Sequence, residues 1–156
     1  MFVAKAVPQF ALPPLTPAVS SASVIELERL ARVPGRQISE TSTVAAFAQT
    51  LRRIEDWYQV ADAPAVRRFL YQNRVLADVL VEAFPRVQEF FGPQAQMVLR
   101  VVPDREVEND EQLFAYILTS QPPDEAMRRL DALDEAWFLD QLDRVGGLFN
   151  FDLEFV

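Results

Sequence analysis

The sequence of 156 residues contains no cysteine and no histidine. Without them there is no thiol nucleophile, no disulfide, no imidazole base and no metal site built on Cys or His ligands. Chemistry is left to carboxylates, arginines, hydroxyl groups and one lysine, Lys5. Among metals, only Mg²⁺ or Ca²⁺ held by carboxylates stays possible. We therefore expect no cofactor and no dedicated metal site.

The chain also lacks long hydrophobic runs, since none approaches the roughly 20 residues that span a bilayer. The N-terminal stretch is apolar, with one lysine and small residues near position 20, as in a secretion signal. Prolines at positions 8, 13, 14 and 17 interrupt it. These features predict a soluble, cytoplasmic protein that makes no membrane contact.

Positive charge is scarce in the C-terminal part of the chain. Residues 101–156 carry 14 acidic and 4 basic groups, a net charge of −10, whereas residues 1–100 carry a net charge of +2. An acidic surface repels phosphate backbones, so direct binding of nucleic acid is not expected. A protein partner with a basic surface fits this charge distribution better.

The length and the hydrophobic fraction of 50% are typical of one globular domain with a sizeable core. We assign that domain to residues 41–156. Residues 1–40 are predicted to form a proline-rich arm, mobile or draped over the surface, with a short helix at 24–33 that ends at Pro34-Gly35. Alternatively, the arm docks on a partner or on a second copy, as in a homo-oligomer, through Phe2, Val7, Phe10 and Leu12.

Apolar residues at helical spacing predict two helices before the first strand. One begins at Ser42 or Thr43 and runs to Tyr58, and the other begins after Asp62 and continues to about Phe84. Pro85 should end or kink the second helix. Asn73 lies within its apolar stripe, where a buried amide fixes packing through a hydrogen bond or, alternatively, contacts a ligand.

The C-terminal half predicts two strands, a helix and a last strand. Residues 96–102 and 113–119 are predicted to pair as antiparallel strands, and Pro122-Pro123 opens a helical run that extends to about Asp143. After Gly146-Gly147 the final strand, 148–156, alternates apolar and polar residues. The predicted fold is α+β: N-terminal helices, then a strand-strand-helix-strand unit whose small, mainly antiparallel sheet is covered by helices.

Two sets of polar residues are candidates for an interface. On one side of the final strand lie Asn150, Asp152 and Glu154, opposite its Phe and Leu residues. On the helical run, Asp131, Asp134 and Glu135 follow helical spacing. Asp134 falls on an apolar face, so either the helix bends there with Asp134 as a cap, which we favour, or Asp134 is a partly buried carboxylate. No catalytic residue is assigned.

The runs LDALDEAWFLD at 130–140 and GLFNFDLEF at 147–155 resemble the C-terminal part of small uncharacterised bacterial proteins. Some of those proteins are labelled as associated with toxin–antitoxin loci, and the strand that begins Leu113-Phe114 also fits. The resemblance covers roughly residues 64–156. The label rests on gene neighbourhood, so the resemblance implies a regulatory setting but no functional residue.

Three functional hypotheses follow. The first is a non-catalytic interaction or regulatory protein whose acidic C-terminal face binds a basic partner, in an antitoxin-like or accessory role. The second is an enzyme that uses carboxylates and a divalent metal ion. The third is a nucleic-acid mimic, whose spaced carboxylates occupy a DNA- or RNA-binding protein.

Overall fold

The structure of the protein is a computed structural model that describes residues 34–104, 106–107 and 110–156. Within these residues, 43–156 belong to one compact unit. The predicted helix at 24–33 and the arm residues Phe2, Val7, Phe10 and Leu12 lie outside the described part of the chain. The division of the chain near residue 40 into an arm and a domain stays a prediction.

Helix α1 spans Pro34–Trp57, α2 Ala63–Gln72, α3 Arg74–Phe91, α4 Pro123–Ala136 and the short α5 Leu142–Val145. Proline suits the first turn of a helix because its missing N–H has no intrahelical partner there. Pro34 therefore starts α1, although the sequence predicted a stop at this point. Asp62 caps α2 as predicted, because its Oδ1 accepts a hydrogen bond from the Ala65 N–H at 3.1 Å.

Asn73 separates α2 from α3, where the apolar stripe predicts one continuous helix. Its backbone leaves the helical region, with φ −128° and ψ 65°. Its side-chain Nδ2 and its backbone N–H both donate to the Phe69 carbonyl, each at 3.0 Å. The structural role predicted for Asn73 is confirmed. Pro85 lies inside α3 and does not end it, since the helix continues to Phe91.

The sheet contains strands β1 (Gln59–Val60), β2 (Gln96–Pro103), β3 (Glu111–Thr119) and β4 (Phe149–Phe155), in that spatial order. Strands β2 and β3 are antiparallel, as predicted, with Gln96 opposite Leu118 and Pro103 opposite Glu111. The pairs β1–β2 and β3–β4 are parallel. The α+β class is confirmed.

The details of the sheet differ from the prediction: within the described residues the sheet is mixed, not mainly antiparallel, and it has four strands instead of three. Helix α4 returns the chain along the sheet before β4 begins, so β4 runs in the direction of β3. The added strand, β1, has two residues and is too short to show an alternating pattern.

Helices cover one face of this sheet. Their buried side chains form a single cluster with alternate residues of the strands, among them Leu99, Ile117 and Phe151. At its centre Phe138 meets Phe149 and Phe151 edge to face, with ring centroids 5.8 and 5.0 Å apart. None of the helices that the structure describes is long and apolar enough to cross a membrane.

The favoured bend at Asp134 is wrong. Helix α4 passes through Asp134 and ends at Ala136, and a 3₁₀ turn follows at Phe138–Gln141. The break lies at Trp137 because Phe138 must turn into the core, where it is 4% exposed. The alternative is confirmed: Asp134 is a half-buried carboxylate within the helix.

Candidate functional site

The other face of the sheet, called the open face below, has a composition unlike the core. Its side chains alternate with the core residues along β2, β3 and β4 and lie opposite one another in the register. Its apolar members do not belong to the core cluster beneath the helices, although Val98 at the centre of the face is only 7% exposed. The open face comprises Gln59, Gln96, Val98, Arg100, Val102, Gln112, Phe114, Tyr116, Leu118, Asn150, Asp152 and Glu154.

Arg100 organises the centre of the open face. Its guanidinium carbon lies 4.9 Å from the centroid of the Tyr116 ring. Its Nη2 donates to Glu154 Oε1 at 3.2 Å and lies 2.9 Å from Oε2. The Phe114 ring stacks near Tyr116 with centroids 5.9 Å apart. The result is a partly exposed cluster of arginine, aromatic rings and carboxylate that spans three strands.

The three predicted polar residues of β4 share this face but make different contacts. Glu154 reaches across the sheet to Arg100. Asn150 and Asp152 bond locally instead: Asn150 Oδ1 accepts from the Phe151 N–H at 2.9 Å, and Asp152 Oδ1 accepts from the Leu153 N–H at 2.8 Å. The side chain of glutamate is one methylene longer, which gives it the reach that Asn and Asp lack.

The second predicted set lies on the other side of the sheet, on α4 in the helical layer. Asp131 and Glu135 are exposed there, while Leu133 beside them is fully buried in the core. Asp134 Oδ1 is buried and has no hydrogen-bond partner among the described residues. Burial, and secondarily the charge of Asp131, raises the pKa of the Asp134 carboxyl. The two predicted sets therefore do not form one surface.

The arginines of the helices are mostly engaged in ion pairs. Each member of the sequence neighbours Arg67-Arg68 and Arg128-Arg129 contacts a glutamate. Hydrogen bonds from Arg67 and Arg129 hold the pKa values of Glu55 and Glu125 below their usual range. Each of these arginines therefore already has a carboxylate partner. The pairs are Arg67–Glu55, Arg68–Glu111, Arg86–Glu89, Arg128–Glu125, Arg129–Glu125 and Arg144–Glu82.

Two of the sequence hypotheses find little support in this geometry. In the described ranges, no three acidic residues converge to hold a metal ion. A nucleic-acid mimic needs a row of free carboxylates at regular spacing. On β4, however, the Glu154 carboxylate is paired with Arg100, which leaves Asp152, among the described residues, as the unpaired carboxylate of the strand. The open face presents aromatic rings, amides and carboxylates.

Sequence analysis missed the centre of this site. Arg100 was not singled out, because its partner Glu154 is 54 residues away in the chain. Phe114 and Tyr116 lie in the predicted strand 113–119, where apolar residues occupy both alternations. The available signal was that Gln96 and Arg100 share one alternation of the preceding strand, which is typical of a sheet with one face uncovered.

Comparison of the chain with models of protein families, with curated proteins and with solved structures gave no match in any of the three. Function is therefore inferred from the geometry of the open face.

Proposed function

We propose that this protein is a non-catalytic binding domain whose open face engages a protein partner through a basic segment of that partner. The observation that carries the proposal is the cluster of Arg100, Tyr116, Phe114 and Glu154 on the face that the described helices leave uncovered. Tyrosine, phenylalanine and arginine are enriched where proteins bind one another.

A basic partner follows from the charges on the open face. Arg100 and Glu154 pair with each other there, whereas Asp152 takes part in no ion pair within the described part of the chain, so the charge left uncompensated is negative. A lysine or arginine of the partner can pair with Asp152 and lie over the ring of Phe114. The amides of Gln96 and Gln112 then supply hydrogen bonds at the rim.

The setting that we propose is regulatory and cytoplasmic: an antitoxin-like or accessory protein that occupies a basic surface of its partner. The resemblance of residues 130–140 and 147–155 to proteins labelled as toxin–antitoxin associated supports this setting. The part of the chain that carries the resemblance includes β4 and its three open-face residues.

The test is affinity capture from a lysate of the source organism, with proteins quantified by mass spectrometry. Asp152→Lys reverses one charge on the open face, and Asp131→Lys makes the same change on the helical layer. We expect a basic protein that wild type and Asp131→Lys both retain, and that Asp152→Lys loses by about tenfold or more, as for a charge pair at an interface.

A further variant separates charge from local structure. Asp152→Asn keeps the side-chain oxygen that accepts from Leu153 and removes only the charge. It should weaken capture of the same protein, though less than Asp152→Lys does. Equal retention by all three variants, or an equal loss with Asp131→Lys, would contradict the placement of the site on the open face. Capture of RNA or DNA in place of a protein would contradict the class of partner.

A further inference from the structure

Among the strands that the structure describes, β4 forms one end of the sheet, and its outer edge is a site where a further strand could add. The Leu148 carbonyl accepts from the Leu113 N–H at 2.8 Å, and the Val156 N–H donates to the Thr119 carbonyl at 3.1 Å. Peptide groups two residues apart in a strand point the same way, so the even-numbered residues of β4 face β3. The backbone groups of Phe149, Phe151, Leu153 and Phe155 therefore point outward.

An outer edge of this kind is a liability. The segment from Phe149 to Phe155 alternates apolar and polar residues and contains neither proline nor glycine, so it has the pattern of a strongly pairing strand. Unpaired N–H and C=O groups along such an edge invite pairing with another strand. Phe155, at 50% exposed, adds apolar surface next to that edge.

Two outward donors on this edge are already occupied. The Phe151 N–H donates to Asn150 Oδ1 at 2.9 Å, and the Leu153 N–H donates to Asp152 Oδ1 at 2.8 Å. An incoming strand needs these N–H groups for its own carbonyls. Pairing would therefore break both hydrogen bonds and place the Asp152 carboxylate against the backbone carbonyls of the new strand.

We propose that Asn150 and Asp152 close the outer edge of β4 against pairing with a second copy of this chain. A second copy is the relevant partner because it presents the same exposed, pairing-prone edge, and two such edges can join their sheets about a two-fold axis. These two side-chain hydrogen bonds keep a further strand from adding next to β4 and leave the open face accessible. It does not depend on the identity of any binding partner.

The test compares two double variants that are matched in position. Asn150→Ala/Asp152→Ala removes both side-chain acceptors, whereas Asn150→Asp/Asp152→Asn exchanges them, keeping an Oδ1 at each position and the same net charge. Asp152→Asn alone, which removes one charge and keeps both acceptors, controls for the charge that the alanine variant loses.

Sedimentation velocity across a hundredfold range of concentration measures self-association. Amide hydrogen exchange of Phe151 and Leu153, measured where each variant is monomeric, reports on the two bonds.

We expect the alanine variant to self-associate as its concentration rises, and the exchanged variant and Asp152→Asn to stay monomeric like wild type. In the monomeric alanine variant the two amides should exchange about three- to tenfold faster, the size expected for loss of one net hydrogen bond each. The proposal is overturned if the alanine variant stays monomeric, or if either acceptor-keeping variant associates equally. If the alanine variant does not fold, Asn150→Ala and Asp152→Ala singly give the same two readouts, and unchanged association and exchange in both would overturn it.

Discussion

On one face of the sheet, Phe149 and Phe151 meet Phe138 in a dry edge-to-face cluster, and on the other Arg100, Tyr116 and Glu154 meet in a partly exposed polar one. The first cluster has the geometry that stabilises a fold. The second consists of an exposed ion pair worth about 0 to 1 kcal/mol and a cation–π contact of about 0.5 to 1 kcal/mol. Folding alone therefore does not account for the composition of the open face, which is why we propose that this face binds a partner.

The largest expected difference lies within β4 itself. Phe151→Ala removes a ring that is 5% exposed and touches both Phe138 and Phe149. We expect it to lower the free energy of unfolding by about 3 to 5 kcal/mol, measured by urea denaturation. Phe155→Ala is the matched control, since Phe155 points to the same face but is half exposed. A loss of similar size at both positions would contradict the assignment of Phe151, and not Phe155, to the buried core.

Two tyrosines, one in the core and one on the open face, give a second comparison with a smaller expected effect on stability. Tyr58 is 3% exposed and its hydroxyl donates to the Leu80 carbonyl at 2.7 Å. Tyr58→Phe should destabilise the protein by about 1 kcal/mol, the net value of a buried hydrogen bond. Tyr116→Phe keeps the ring beneath Arg100 and should change stability by less than about 0.5 kcal/mol. Denaturation of the two variants side by side decides this, and a larger loss at Tyr116 would argue that the open face is structural.

Burial also raises the pKa of the Tyr58 hydroxyl. The folded state holds the neutral phenol, whereas the unfolded state ionises at the ordinary tyrosine pKa, near 10. The free energy of unfolding is therefore unaffected at neutral pH and falls as pH rises above that value. Absorbance titration should therefore show Tyr58 ionising only together with alkaline unfolding. Tyr58→Phe should abolish that coupled step.

The smallest predicted effect concerns Asp134 in the helical layer. Its raised pKa means that the folded protein disfavours the charged carboxylate, so stability falls as pH rises from the ordinary aspartate value to the raised one. Asp134→Asn should be more stable than wild type above that window. Because Asp134 is only half buried, water screens the charge and the gain should be below about 1 kcal/mol.

The control for this prediction is pH itself. Below the ordinary aspartate pKa, both states of the wild-type protein carry a neutral Asp134, and the advantage of Asp134→Asn should vanish. Thermal denaturation of both proteins from pH 3 to 8 measures how the difference in stability changes with pH. A gain that does not depend on pH would assign the effect to packing and not to charge.

Most elements of the fold could be predicted because their signals are local. Pro123 opens α4, the left-handed Gly146 and Gly147 end the helical run, and the alternation after Gly147 specifies β4. The break at Asn73 could not be predicted, because apolar spacing continues through it and the decisive bond, from its amide to Phe69, is visible only in three dimensions. The end of α4 was misplaced for a similar reason, since the core position of Phe138 sets it.

The candidate site was predictable only in part. The alternation of β4 places Asn150, Asp152 and Glu154 on one face, and the structure agrees with that placement. Their contacts depend on side-chain length and on strand order, which the spacing does not contain. Arg100 illustrates the limit, because its three neighbours on the open face come from two other strands.

The central claim, that the open face is the binding face, can be tested directly by titrating ¹⁵N-labelled protein with a hexa-arginine peptide at low and at physiological salt. We predict that the largest amide shift changes fall on Arg100, Tyr116 and Asp152, and that they weaken as salt rises. Shift changes centred on Asp131 and Glu135, or spread over the exposed carboxylates irrespective of face, would contradict the claim.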